Sequence, residues 1–164
     1  MVQKSRTTKT QAKPGEVSKA LALSPRNIIF LDMEDVIAVG EGCELDENAI
    51  KHLQHLIMGT KSELVITSGW MRVVGGNINQ LRTLFAKYGL EPEILVWGNS
   101  LVNLASEIRS HLGVVMEPYR YIIISCNSDV HEHKSHLLEI DRRFGLQKQH
   151  IPKAIKLMVE QKYV

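Results

Sequence analysis

The stretch Asn27–Ile37, NIIFLDMEDVI, decides how the rest of the chain is read. Four apolar residues, Ile28 to Leu31, run straight into Asp32, Glu34 and Asp35, and the chain then turns apolar again. A run that short, rich in β-branched residues and without alternation, predicts a strand buried on both faces rather than a helix. A carboxylate directly after such a strand makes Asp32 a candidate nucleophile, or the remnant of one.

The same signature recurs along the chain. Glu63–Ile66 runs into Thr67-Ser68-Gly69, Ile94–Trp97 into Gly98-Asn99, and Tyr121–Ile124 into Ser125-Cys126-Asn127-Ser128-Asp129, with a fifth strand expected over 137–140. Helical stripes separate these runs. Ile50, Leu53, Leu56 and Ile57 follow an Asp46 N-cap and should stop at Gly59. Ile78, Leu81, Leu84 and Phe85 mark a second helix, Leu104, Ile108 and Leu112 a third, and 151–159 a closing one with Pro152 in its first turn. Apolar strands alternating with amphipathic helices predict an α/β domain: three layers around a Rossmann-like, central parallel sheet. Such sheets bind ligands beyond the carboxyl ends of their strands, where strand order switches direction. Asp32, Thr67, Ser68 and the 125–129 segment would meet there.

At 164 residues the chain is long enough for one domain with a substantial core. No apolar run approaches the roughly 18 residues of a membrane span, and no signal-peptide core opens the sequence. Two cysteines, Cys43 and Cys126, suit a reducing, cytoplasmic setting. Charge is uneven. Lys4, Arg6, Lys9, Lys13, Lys19 and Arg26 face a single acid, Glu16, in the first 26 residues. Residues 1–25 therefore read as a flexible basic arm ahead of a domain spanning 26–164. The arm is either a solubilising extension or an RNA or DNA contact through phosphates; alternatively, Val17, Ala20, Leu21 and Leu23 form a short helix against the body.

The order of these strand ends resembles the haloacid dehalogenase (HAD) superfamily. More closely, it resembles the small, capless HAD domains of Swiss-army-knife RNA-repair proteins. The carriers are NIIFLDMEDVI, the helix over 46–58, ELVITSGWMR (63–72), SEIRSHL (106–112), RYIIISCNSD (120–129) and FGLQKQHIPKAIKLM (144–158). The resemblance implies a HAD fold without a large cap. It puts Asp32 at the nucleophile position and Glu34 at the acid/base position, one methylene longer than the usual Asp. Thr67, with Ser68 as alternative, falls on the phosphate-binding position, and Trp70 and Arg72 match the aromatic and basic pair that follows. Asp35 stands where many relatives have Gly.

Two motifs depart from the pattern. Asn103 and Leu104 lie where a Lys or Arg is expected, and Arg109 is one turn too far along. Ser125 and Cys126 replace the carboxylates that would hold Mg²⁺, leaving Asp32 and Asp129 as the candidate metal ligands. A hydroxyl and a soft thiol are poor ligands for a hard cation, so Mg²⁺ binding should be weak or absent. Without metal and cation, a phosphoryl transition state loses most of its charge stabilisation. The expectation is a HAD-like protein with a degenerate phosphoryl-transfer site, acting by binding an unidentified protein partner or a phosphorylated ligand. The alternative is an active Mg²⁺-dependent phosphohydrolase, with nucleic-acid phosphate ends as its candidate substrate. Cys126 reads as an inert thiol, His131, His133 and His136 as an exposed loop or helix start, and Glu41 and Glu44 as solvated loop acids.

Overall fold

Residues 28–31 alternate between the two faces of one sheet, and that alternation sets the layers. A computed structural model describes residues 23–40, 44–99 and 103–164. The expectations for residues 1–22, Glu41 and Cys43 lie outside them. Strand β1 (Arg26–Leu31) is followed by α1 (Glu47–Thr60), β2 (Glu63–Ile66), α2 (Ile78–Lys87), β3 (Leu95–Trp97), α3 (Leu104–Leu112), β4 (Tyr119–Ser125), β5 (Leu137–Glu139) and α4 (His150–Val159). All five strands are parallel, in the order β3-β2-β1-β4-β5. Ile29 and Leu31 point into a core with α1, α2 and α4, built from Leu53, Leu56, Phe85 and Met158 among others. Ile28 and Phe30 point the other way, into a core with Ile108 and Leu112 of α3. No large cap interrupts this three-layer α/β, Rossmann-like arrangement among the described residues.

Chain order places the functional end. From β1 the chain steps outward through β2 to β3, then crosses back over β1 to reach β4. The direction changes between β1 and β4, so the crevice opens beside their carboxyl ends. Register brings those ends level: Leu31 pairs with Ile66 on one side and Ile124 on the other. Asp32, Thr67 and Ser125 therefore leave the sheet side by side.

Local chemistry explains most boundaries. Asp46 caps α1 by accepting from the Ala49 amide at 2.7 Å, an interaction typically worth about 1 kcal/mol. The expected stop at Gly59 is overrun. Thr60 stays helical, its hydroxyl donating to the Leu56 carbonyl, and Lys61 ends the helix at φ 51°. Asn103 caps α3 by accepting from the Ser106 amide. Strand β1 also starts earlier than the apolar run suggests. Arg26 donates to both oxygens of Glu63 and to Glu117, so its charge belongs to the body rather than to the arm.

Within the histidine-rich segment, one residue departs from the expected exposure. It forms a 3₁₀ turn over His131–His136, and His133 is only 6% exposed. Its Nδ1 lies 2.7 Å from the Tyr121 hydroxyl, and His136 stacks on the same ring. The Tyr121 hydroxyl offsets part of the cost of burial at Nδ1, while Nε2 is buried without a hydrogen-bond partner among the described residues.

Candidate functional site

The Asp32 amide continues the sheet by donating to the Ile124 carbonyl at 3.0 Å, and Thr67 does the same to Leu31 at 3.0 Å. These bonds fix where the side chains emerge. Asp32 Oδ2 accepts from the Ser125 hydroxyl at 3.0 Å, and Ser125, with 0% exposure, in turn accepts from the Asn127 amide at 2.9 Å. Burial pushes the Asp32 carboxyl above its ordinary range, the Ser125 bond opposes that, and the Glu34 charge adds to it.

Beyond β1 the chain reverses through residues 34–38, with the Asp35 amide donating to Ala38 at 3.0 Å. Asp35 sits at φ 60°, the left-handed region in which an L-residue is strained and glycine is free. Aspartate is one of the few residue types tolerant of this conformation, which fits its place at a position where the resemblance leads one to expect glycine.

A cleft of about 500 Å³ lies against this turn, lined by Asp32, Glu34, Asp35, Cys126, Asn127, Ser128 and Arg142. Glu34 is exposed at its mouth. Arg142, from the loop after β5, brings its Nε to 3.9 Å from Asp35 Oδ2. Nothing in the sequence singled out Arg142, because its nearness to β1 depends on β5 docking beside β4. Cys126 Sγ lies 3.9 Å from the Glu34 carbonyl oxygen, the outer limit for a thiol donor. Burial raises the Cys126 thiol above its ordinary value, and the Asp32 and Asp35 charges raise it further, so it stays protonated.

The second strand tip holds the largest surprise. Ser68 donates twice to one carboxylate: its amide to Glu107 Oε1 at 2.7 Å and its hydroxyl to Oε2 at 2.9 Å. Glu107, in the first turn of α3, is only 4% exposed. Burial raises its carboxyl above the usual range, the Ser68 donors oppose this, and the nearby Asp32 charge raises it again. Among the described residues no lysine or arginine pairs with it. A signal was present: Glu107 follows Leu104 by three and precedes Ile108, so it falls on the apolar stripe of α3.

The remaining predicted residues are spread out. Thr67 is buried at the tip beside Asp32. Arg72 is exposed in the turn following Trp70 and does not line the cleft. Asp129 is exposed, its carboxylate 3.5 Å from His131 Nε2, and it too lies outside the cleft lining. Arg109 is ion-paired with Glu132. Gly69 meets open space: a Cβ there would touch nothing within 4 Å among the described residues. No group of three His, Cys, Asp or Glu able to hold a metal ion occurs among the described residues. A hard divalent cation needs several oxygens turned toward it. Here the fourth strand tip offers a hydroxyl, Ser125, which donates to Asp32 Oδ2, and a protonated thiol, Cys126, so it adds no carboxylate for such an ion.

A second groove, of about 490 Å³, opens at the amino ends of the strands beside Arg26, Met58 and Ile94. The Arg26 guanidinium there is already paired with Glu63 and Glu117.

No curated protein and no solved structure matches the chain. One family model does, from β1 to the start of α4: over residues 28–151 the chain matches the HAD domain in Swiss Army Knife RNA repair proteins, and it belongs to that family.

Proposed function

We propose that this is a catalytically impaired HAD-like domain that acts by binding a partner rather than by turning over a phosphate ester. One observation carries the reading: the hydroxyls at the second and fourth strand tips point inward, onto the chain's own carboxylates. HAD proteins generally use Mg²⁺, but the fourth strand tip of this chain offers it a hydroxyl, Ser125, and a thiol, Cys126, in place of carboxylates. Asp32 remains the only group at the nucleophile position. With Glu107 rather than a cation near it, a phosphate dianion would meet like charge at close range. Thr67, Ser68 and Arg72 are retained as the candidate phospho-ligand corner. The engagement of both Ser68 donors by Glu107 supports a protein partner over that ligand.

Phosphatase assays on a phosphomonoester and on phosphate-ended RNA, with and without Mg²⁺, test this. Wild-type protein should give no turnover above an Asp32→Asn control. Metal-dependent turnover that disappears in Asp32→Asn overturns the reading and favours the alternative of an active phosphohydrolase, with Glu34 moving the proton and Asp129 completing a metal shell.

The family's description names RNA repair. Together with Lys4, Arg6, Lys9, Lys13 and Lys19 ahead of β1, it supports a sequence-independent contact to RNA or DNA phosphates. Binding should weaken steeply with salt and be lost on deleting residues 1–25. Unchanged affinity in the deletion rules out a role for the arm.

A further inference from the structure

Glu107 is seated as a ligand would be. Each of its oxygens accepts one Ser68 donor, at 2.7 and 2.9 Å. Opposite them, Gly98 leaves the space the carboxylate fills: a Cβ built on Gly98 would lie 2.2 Å from Glu107 Oε1. Gly98 also continues the sheet, its amide donating to the Ile66 carbonyl at 2.7 Å, so its backbone has no freedom to withdraw. An amide and a hydroxyl converging beside a carboxylate-bearing strand tip are the donors an oxyanion would require. Both are engaged by a residue 39 positions away on another element.

We propose that Glu107 is a specificity-determining residue, the chain's own anion seated on Ser68 and Gly98, which excludes phosphate and phosphate esters from the crevice. Ligands admitted beside Asp32 are then neutral or cationic, such as an amide, a hydroxyl or a basic side chain of a partner protein. This rests on the impaired-site reading and sharpens it, since it names what holds phosphate out. Ser68 is the gate's other half, and Thr67 lies on the Asp32 side of it.

The test is a titration of full-length ¹⁵N-labelled protein with inorganic phosphate at constant ionic strength, following the Ser68 amide. In the wild type, Ser68 should show no saturable shift. Glu107→Ala should show one, and the Ser68→Ala, Glu107→Ala double variant should bind phosphate more weakly, read at neighbouring Gly69, because only the backbone donor is left. Glu107→Gln keeps the shape and removes the charge. It guards against misfolding of the alanine variant, and at a given phosphate concentration it should shift the Ser68 amide at least about ten times as far as the wild type does. Saturable binding at Ser68 in the wild type overturns the proposal, and so does a folded Glu107→Gln that responds no better than wild type. The two readings fail separately: metal-dependent turnover sinks the impaired site, whereas phosphate seated at Ser68 without turnover sinks only the role of Glu107.

Discussion

Replacing Gly145 by alanine should cost about 3–5 kcal/mol of folding stability, read as a fall in the urea midpoint at unchanged slope. Gly145 lies at φ 65°, where an L-side chain is strained by roughly 1–2 kcal/mol. Its new Cβ would also fall 2.7 Å from the Val36 carbonyl oxygen and 2.4 Å from Val39 Cγ2. Val39 can rotate, but the carbonyl cannot retreat without stretching the bond it accepts from the Leu146 amide at 2.8 Å. Gly89→Ala isolates the backbone share, because Gly89 has φ 75° and an added Cβ meets nothing within 4 Å among the described residues; it should cost only about 1–2 kcal/mol. If Gly145→Ala costs no more than Gly89→Ala, the loop after β5 does not press on the Asp32 turn as described. The contact matters for the site because it ties the Arg142 loop to residues 33–38 and so shapes the cleft wall.

The second large effect is expected from Ser125→Asp. Ser125 is fully buried and donates a hydrogen bond to Asp32 Oδ2 at 3.0 Å. An aspartate there sets two carboxylates against each other in a dry position, with no cation between them. At pH 7 the loss should be about 3–5 kcal/mol, the range for leaving a buried charge uncompensated. Paired carboxyls share a proton more readily than isolated ones, so their folded pKa rises above the unfolded value of about 3.9. Stability is then retained below pH 4 and lost as pH climbs through the raised value. Unfolding measured at pH 4 and pH 7 should show the defect mainly at the higher pH, while neutral Ser125→Asn stays milder at both. An equal defect at both values would mean that shape rather than charge is at fault, and that the tips of β1 and β4 do not share a low-dielectric pocket. Adding Cys126→Asp and millimolar Mg²⁺ extends the test: recovery of stability at pH 7 is expected if the two positions correspond to the family's metal-binding carboxylates.

Both effects arise where distant segments meet, and that marks the limit of what local patterns announce. The runs at 28–31, 63–66 and 121–124 announced buried parallel strands, because a strand covered on both faces must be apolar throughout. The stripe of Ile50, Leu53 and Leu56 announced its helix for the corresponding reason at period 3.6, and Asp46 announced where it starts. From those local patterns the α/β class follows, along with the polar strand tips and the place of Asp32 at the end of β1.

The chain's periodicity said nothing about which polar atoms would meet. That Ser68 is held by Glu107, that Ser125 is turned onto Asp32, and that Arg142 reaches the cleft all depend on strand order and register. Hydrophobic patterning is a short-range property, repeated every two or three to four residues and so visible along the sequence. Hydrogen bonds between buried polar groups are decided by tenths of an ångström between elements dozens of residues apart. Here those distances exist only once β1 and β4 lie side by side and α3 has closed over the second strand's tip.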